Sequence, residues 1–226
     1  MQRQAIIYPT ADGEPMAETE MHLWAMVTTL LVLRTYLQTL AQEQQTPPAQ
    51  EGTVLANQFL YYEQGNPKAR VAPDVMVVPG VARGSRDSYK IWEEGQLPAV
   101  VFEMTSKSTQ QDDQVKKKDI YARLGVLEYW LFDPKGEWIK NQLLGYRLIE
   151  GVYQPIIDAC STVLGLRLAV EGAVISFYRL DLGEKLLSPD ELVRTRLQAE
   201  QRAVQAEQRA EVLAARLREL GIDPDA

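Results

Sequence analysis

Cysteine and histidine are almost missing: Cys160 and His22 are the only ones. A single cysteine permits no internal disulfide, which makes the cytoplasm the default compartment. A single histidine leaves Ser-His-Asp or Cys-His hydrolysis hanging on one residue. It also excludes His-rich zinc sites, since structural zinc takes about four Cys or His ligands. Any metal here should be a hard, oxygen-seeking ion such as Mg²⁺. Positive charge is scarce too. Lys and Arg number 24 against 31 Asp and Glu, a net charge of −7. General nucleic-acid coat proteins are usually basic, so contact with a polyanion would have to be local and metal-assisted. The apolar stretch from Leu23 to Leu33 is interrupted by Thr28 and Thr29 and falls short of the roughly 20 residues a membrane helix needs. The start "MQRQAIIYPT" lacks the basic-then-apolar layout of an export signal. No membrane association is expected. No GxxxxGK[ST] or GxGxxG occurs, so nucleotide-driven chemistry has no support.

What is present reads as helix, strands, helix, strand, then more strands. Residues 1 to 17 form an irregular lead-in with Pro9, Gly13 and Pro15. "AETEMHLWAMVTTLLVLRTYLQTLAQEQQ" predicts a long helix, with Trp24, Val27, Leu31, Tyr36 and Leu40 at helical spacing and "TPPAQEG" as its stop. "TVLANQFLYYEQG" predicts one strand, "VAPDVMVVPG" a short apolar strand led by Pro73, and "AVVFEMTS" a core strand. Gly80 to Pro98 is loop-like. "TQQDDQVKKKDIYARLGV" predicts a helix, with Asp112 and Asp113 near its positive end and Gly125 as its cap. "LEYWLFDP" is a third core strand, and two hairpins follow. The sum is an α/β fold: a mixed central sheet flanked by helices, with extra β-hairpins. Residues 1–188 would form this domain. In residues 189–226, Ala199, Ala203, Ala206, Ala210, Leu213, Leu217 and Leu220 alternate at spacings of four and three. That is an a/d seam, which predicts a helix of about 48 Å. It reads either as a solvated single helix or as a coiled coil that makes a homodimer.

The chemistry centres on "VVFEMTSKST". Glu103 interrupts an apolar strand, and burying an unpaired carboxylate costs several kcal/mol. It therefore needs a cation, a metal or a proton. Asp74 heads the apolar run "DVMVV". Two carboxylates from adjacent strands, with the Met104 carbonyl as third donor, could hold Mg²⁺; without a metal they would repel, and one would stay protonated. Asp113, Lys117 and Tyr121 share one face of the following helix. A lysine there could reach the acids and orient a water or meet charge on a phosphate. A purely structural Glu–Lys pair fits the same spacing.

The stretches "KARVAPDVMVV", "VVFEMTSKSTQQDDQVKKKDIYARLGVLEYWLFDP" and "GYRLIEG" together resemble the Uma-type family of bacterial restriction-endonuclease-like proteins. That family is a branch of the PD-(D/E)XK nuclease superfamily, and the resemblance runs from "YPTADGEPMAETEMH" to the hairpins near residue 180. It implies a restriction-endonuclease-like fold and Mg²⁺-dependent hydrolysis of phosphodiesters, with Mn²⁺ as a substitute ion. It implies that Asp74 and Glu103 are metal ligands. The usual motif lysine would stand two residues after the glutamate, where this chain has Thr105. Lys117 matches the family's displaced lysine, and Lys107 is the fallback. An acid on the first helix sometimes completes such sites; Glu20 and, less well placed, Glu18 are candidates, whereas His22 reads as a packing or hydrogen-bonding residue. DNA would be the substrate, held by a few cations such as Arg70, Arg83, Arg86, Lys90 and Lys116, each of which also reads as ordinary surface charge. The rival expectation is a catalytically silent nuclease fold that binds or oligomerises through its C-terminal helix. RNA or another phosphodiester is a third.

Overall fold

The computed structural model describes residues 6–11, 19–220 and 223. Much of the expected lead-in, and Glu18 with it, lies outside the described residues. Two compact units follow the chain, Met1–Leu186 and Leu187–Ala226.

In the first unit the helix α1 (Glu20–Glu43) is capped by Thr19, whose hydroxyl accepts from the His22 N–H. By length and composition α1 would pass as a membrane span, contrary to the expectation from its threonines. Its contacts instead make it a core helix. The buried stripe is His22, Ala25, Met26, Thr29, Val32, Leu33 and Tyr36. Trp24 and Leu31, two of the residues that gave the helical spacing, face outward. The segment is apolar almost all round, so hydrophobicity identifies the helix without fixing its inner face. The small Ala25 and Thr29 let the backbone approach the sheet.

After a short 3₁₀ turn (Pro48–Gln50) come β1 (Thr53–Ala56), β2 (Leu60–Tyr61), β3 (Arg70–Val71) and β4 (Val75–Val78). The single strand expected over 53–65 is thus two strands in different sheets. Asn57 breaks it by adopting φ 49°, a conformation that asparagine tolerates better than most residues. Within the expected loop 80–98 lie β5 (Tyr89–Lys90) and the one-turn helix α2 (Ile91–Glu94). Next are β6 (Val100–Met104), a π-helical turn (Asp112–Lys117), α3 (Lys118–Leu124), which ends on left-handed Gly125, and β7 (Glu128–Phe132). β8 (Leu143–Ile149) and β9 (Val152–Ile156) form the first hairpin. β10 (Cys160–Ser161), β11 (Leu166–Glu171), β12 (Val174–Arg179) and β13 (Lys185–Leu186) make the second group.

The central sheet has the order β1-β4-β6-β7-β8-β9. Every neighbouring pair is antiparallel except β6 and β7, which run parallel through the α3 crossover. Parallel neighbours require such a crossover. The middle strands are apolar on both faces because both faces are covered. Val75, Val77, Val100, Phe102, Trp130 and Phe132 meet α1 and the inner residues of β11 and β12, such as Leu168 and Phe177. Met76, Val78, Val101, Tyr129 and Leu131 meet Tyr121 and Val126, around α3. Alternation along β6 therefore puts Glu103 on the Val101 face, under α3. In the second unit α4 (Pro189–Glu219) starts with a reciprocal Ser188–Glu191 capping box and Pro189 in its first turn.

Candidate active site

Glu103 lies in the middle of the sheet with none of its surface exposed. Its Oε2 is 2.9 Å from the Lys117 ammonium, and its Oε1 accepts from the Tyr121 hydroxyl at 2.7 Å. Both partners are delivered by the segment after β6, Lys117 at the end of the π turn and Tyr121 one turn into α3. Lys117 also pairs with Asp113 at 2.9 Å. Asp113 is fixed in turn, since Thr105 Oγ1 donates to its Oδ2 at 3.1 Å and the Tyr129 hydroxyl donates to its carbonyl at 2.9 Å. Thr105 thus stands where a lysine was expected and holds the acid that holds the displaced lysine.

Asp74, the residue just before β4, meets this group. Its Oδ2 accepts the Met104 N–H at 2.6 Å, and its own N–H points at Glu103 Oε2 at 3.4 Å. The Asp74 carbonyl accepts from Asn57 at 3.2 Å. Asn57 is a supporting residue that sequence reasoning passed over. His22, buried on α1, brings Nε2 to 3.6 Å from Asp74 Oδ2. The first helix therefore contributes its histidine here, while Glu20 opens the same helix in an exposed position.

Three carboxylates, Asp74, Glu103 and Asp113, face one ammonium. Burial, with a smaller contribution from the other two acids, pushes the Glu103 carboxyl up to about 8 despite Lys117. Burial also disfavours the charged form of Lys117, but Glu103, Asp113 and Asp74 outweigh it and hold its pKa above the usual lysine range. Burial and the Glu103 charge raise Tyr121 far above a normal phenol, so it stays a hydrogen-bond donor. The charge balance suits a hard divalent cation. Among the described residues no cluster of three or more His, Cys, Asp or Glu side chains could hold a metal. Two carboxylates of this cluster, Asp74 and Glu103, approach each other across the Asp74 N–H, which points at Glu103 Oε2.

Two other carboxylates are equally buried and serve the fold. Glu128 accepts from Arg147, from the Thr162 and Val163 N–H groups and from the Trp130 indole. Asp133 accepts the N–H groups of Lys135, Gly136, Trp138 and Ile139. β6 ends at Met104, so Lys107 does not share the strand face; it is exposed and lines a cleft of about 520 Å³ together with His22 and Thr105. The proposed DNA contacts are mostly engaged inside the protein. Arg70 lies over the Phe59 ring at 4.3 Å. Arg83 pairs with Glu51, Arg86 with Glu94, Lys90 with Glu93 and Lys116 with Asp112.

Residues 7–176 match a family model described as "Uma2: Putative restriction endonuclease". No curated protein sequence matches. A similar solved structure is described as "a putative nuclease belonging to DUF820" from Anabaena variabilis. It is 14% identical, the alignment covers 78% of this chain and 86% of that one, and the TM-score is 0.43.

Proposed function

The chain belongs to the Uma2 family, whose model carries the description "Putative restriction endonuclease", and from that premise we propose that it is a divalent-metal-dependent endonuclease hydrolysing phosphodiester bonds of DNA. One observation carries the reading. A wholly buried glutamate on the central strand shares one polar cluster with an aspartate just before the adjacent strand and with a lysine 2.9 Å away. A fold that needed only a counter-charge would be served by one acid and one base. Here three acids share one lysine, and Glu103 retains a proton at neutral pH that a second cation would replace.

Asp74 and Glu103 would hold the Mg²⁺ ion, or Mn²⁺ in its place, with the Met104 carbonyl as a further oxygen donor. When bound, such an ion polarises the phosphate and lowers the pKa of a coordinated water. Tyr121 and Lys117 keep Glu103 in a single orientation. Asp113 and Thr105 keep Lys117 in place, so its ammonium is preset to orient the attacking water and to meet the charge that builds on the phosphate. The nuclease domain spans residues 1–188. The C-terminal region 189–226, through its helix α4, joins two copies as a homodimer, and the protein acts in the bacterial cytoplasm.

The competing reading is a catalytically silent nuclease fold. The lack of a third ligand side chain among the described residues favours it. Nicking of supercoiled plasmid with Mg²⁺ or Mn²⁺ separates the two. Cleavage by wild type that is lost in Glu103→Ala and Asp74→Ala, with far-UV circular dichroism unchanged, supports the enzyme. A folded wild type that binds no Mn²⁺ at millimolar concentration and cuts nothing overturns it.

A further inference from the structure

A cleft lies beside the acid cluster. At about 520 Å³ it falls within the usual range of small-ligand pockets. Its lining includes His22 and Thr105, which contact Asp74 and Asp113 respectively, so an occupant lies directly against the acid cluster.

Both rims are held rigid by their own hydrogen bonds. The loop after β7 is gathered around the Asp133 carboxylate, which takes four backbone N–H groups between Lys135 and Ile139. The loop after β6 is closed by the Ser106 N–H donating to Thr109 Oγ1 at 3.0 Å, and the Ser106 and Ser108 hydroxyls are 3.0 Å apart. Preset rims lower the ordering cost of binding.

The exposed groups on these rims are of three kinds. Trp138 offers a half-buried indole. Ser106 and Ser108 offer hydroxyls. Lys107 and Lys135 offer ammonium groups that, among the described residues, take part in no ion pair, unlike Arg83, Arg86, Lys90 and Lys116. Glu137 also lines the cleft and offsets part of that charge, while Asp133 is committed to the backbone. A flat aromatic ring beside uncommitted cations and hydroxyls is the equipment for a nucleic-acid strand whose base is free to stack. A paired base offers no such face.

We propose that this cleft binds one unpaired nucleotide of the substrate strand beside the scissile phosphate. Its base stacks on Trp138, and Lys107, Lys135 and the serine hydroxyls meet its phosphates. The inference rests on the nuclease reading and specifies it: the preferred substrate is single-stranded or locally unpaired.

Binding without divalent ions tests the cleft independently of cleavage. A fluorescein-labelled single-stranded DNA 12-mer, the same sequence as a duplex and as RNA, are titrated against the full-length chain by anisotropy, and tryptophan quenching is followed in parallel. The expected result is tighter binding of the single strand than of the duplex. Trp138→Ala should lose about tenfold in affinity and most of the quenching, Trp138→Phe should recover affinity, and Lys107→Ala/Lys135→Ala should weaken binding and flatten its salt dependence. Tighter binding of RNA than DNA supports the same site and assigns the strand to RNA. Duplex binding equal to single-strand binding, or Trp138→Ala and the double lysine variant binding like wild type, overturns the proposal. If that happens while wild type still nicks plasmid with Mn²⁺, the cleft assignment alone has failed; if wild type neither cuts nor binds any nucleic acid, the nuclease reading has failed with it.

Discussion

Glu103, Glu128 and Asp133 are all fully buried carboxylates on or next to the two parallel strands, yet they behave differently. Glu128 and Asp133 are saturated by N–H donors, whereas Glu103 sits among other acids with one shared lysine. That difference has a measurable sign. Glu103 has a folded-state pKa of about 8 against an ordinary value of 4.5. Between these limits the folded protein keeps a proton that the unfolded chain releases, so stability present at low pH is lost as the pH rises through 8. Without divalent ions, thermal unfolding should therefore occur at lower temperature at pH 9 than at pH 6, and Glu103→Gln should reduce the difference. Manganese must displace the same proton, so its affinity by calorimetry should rise from pH 6 to about pH 8 and then level off. Lys117→Ala removes the only lysine between two buried acids. It should abolish cleavage and lower the unfolding temperature most at alkaline pH, where both acids would be ionised. At this scale the sequence was readable where a residue violates its surroundings: an acid in "VVFEM" demands a partner. The roles of Thr105, Asn57 and His22 were not, because each depends on a contact between segments far apart in the chain.

Among elements, the strands with near-continuous apolar runs were legible, as were the α3 helix with its glycine cap and both hairpins. The misreadings share a cause. The division of residues 53–65 turns on the positive φ of Asn57, and the rotation of α1 turns on which side of an all-apolar helix meets the sheet. Asparagine permits that turn without requiring it, and the helix rotation depends on packing alone. The π turn at 112–117, which contains Asp113 and Lys117, was also invisible; π turns often mark functional positions. Gly145 shows how tightly the elements fit. It pairs with Trp130 across β7 and β8, and a Cβ built on it would fall within the Trp130 indole. Gly145→Ala should cost about 1–3 kcal/mol by overpacking, seen as a drop of about 2–4 °C in melting temperature per kcal/mol. Gly151→Ala, in the turn of the neighbouring hairpin where a Cβ meets nothing within 4 Å, is strained by its φ of 79° alone and should cost less.

For the whole molecule, the proposed homodimer rests on α4. The leucines at the end of the heptad seam, Leu213 and Leu220, are 64% and 69% exposed in the single chain. If α4 joins two copies, light scattering should give twice the mass of one chain, and Leu213→Lys/Leu217→Lys should return it to a monomer without changing plasmid cleavage per subunit. A monomeric wild type at high micromolar concentration would reject that role. The core has a different consequence, one of timing. The sheet residues Val54, Val75, Val77, Val100 and Phe102 cover part of the inner face of α1, but its cover is complete only when residues more than a hundred positions later arrive: Leu166, Leu168 and Phe177 join the same core, and Tyr36 bonds the Leu164 carbonyl. At about 5–20 residues per second, a ribosome needs on the order of ten seconds to supply them. Throughout that interval the growing chain presents a helix apolar enough to resemble a membrane span. Nascent chains stalled near residue 130 should cross-link to chaperones through residues 20–43, and chains released past residue 190 should not. The order in which this core is synthesised makes its first helix dependent on a temporary host.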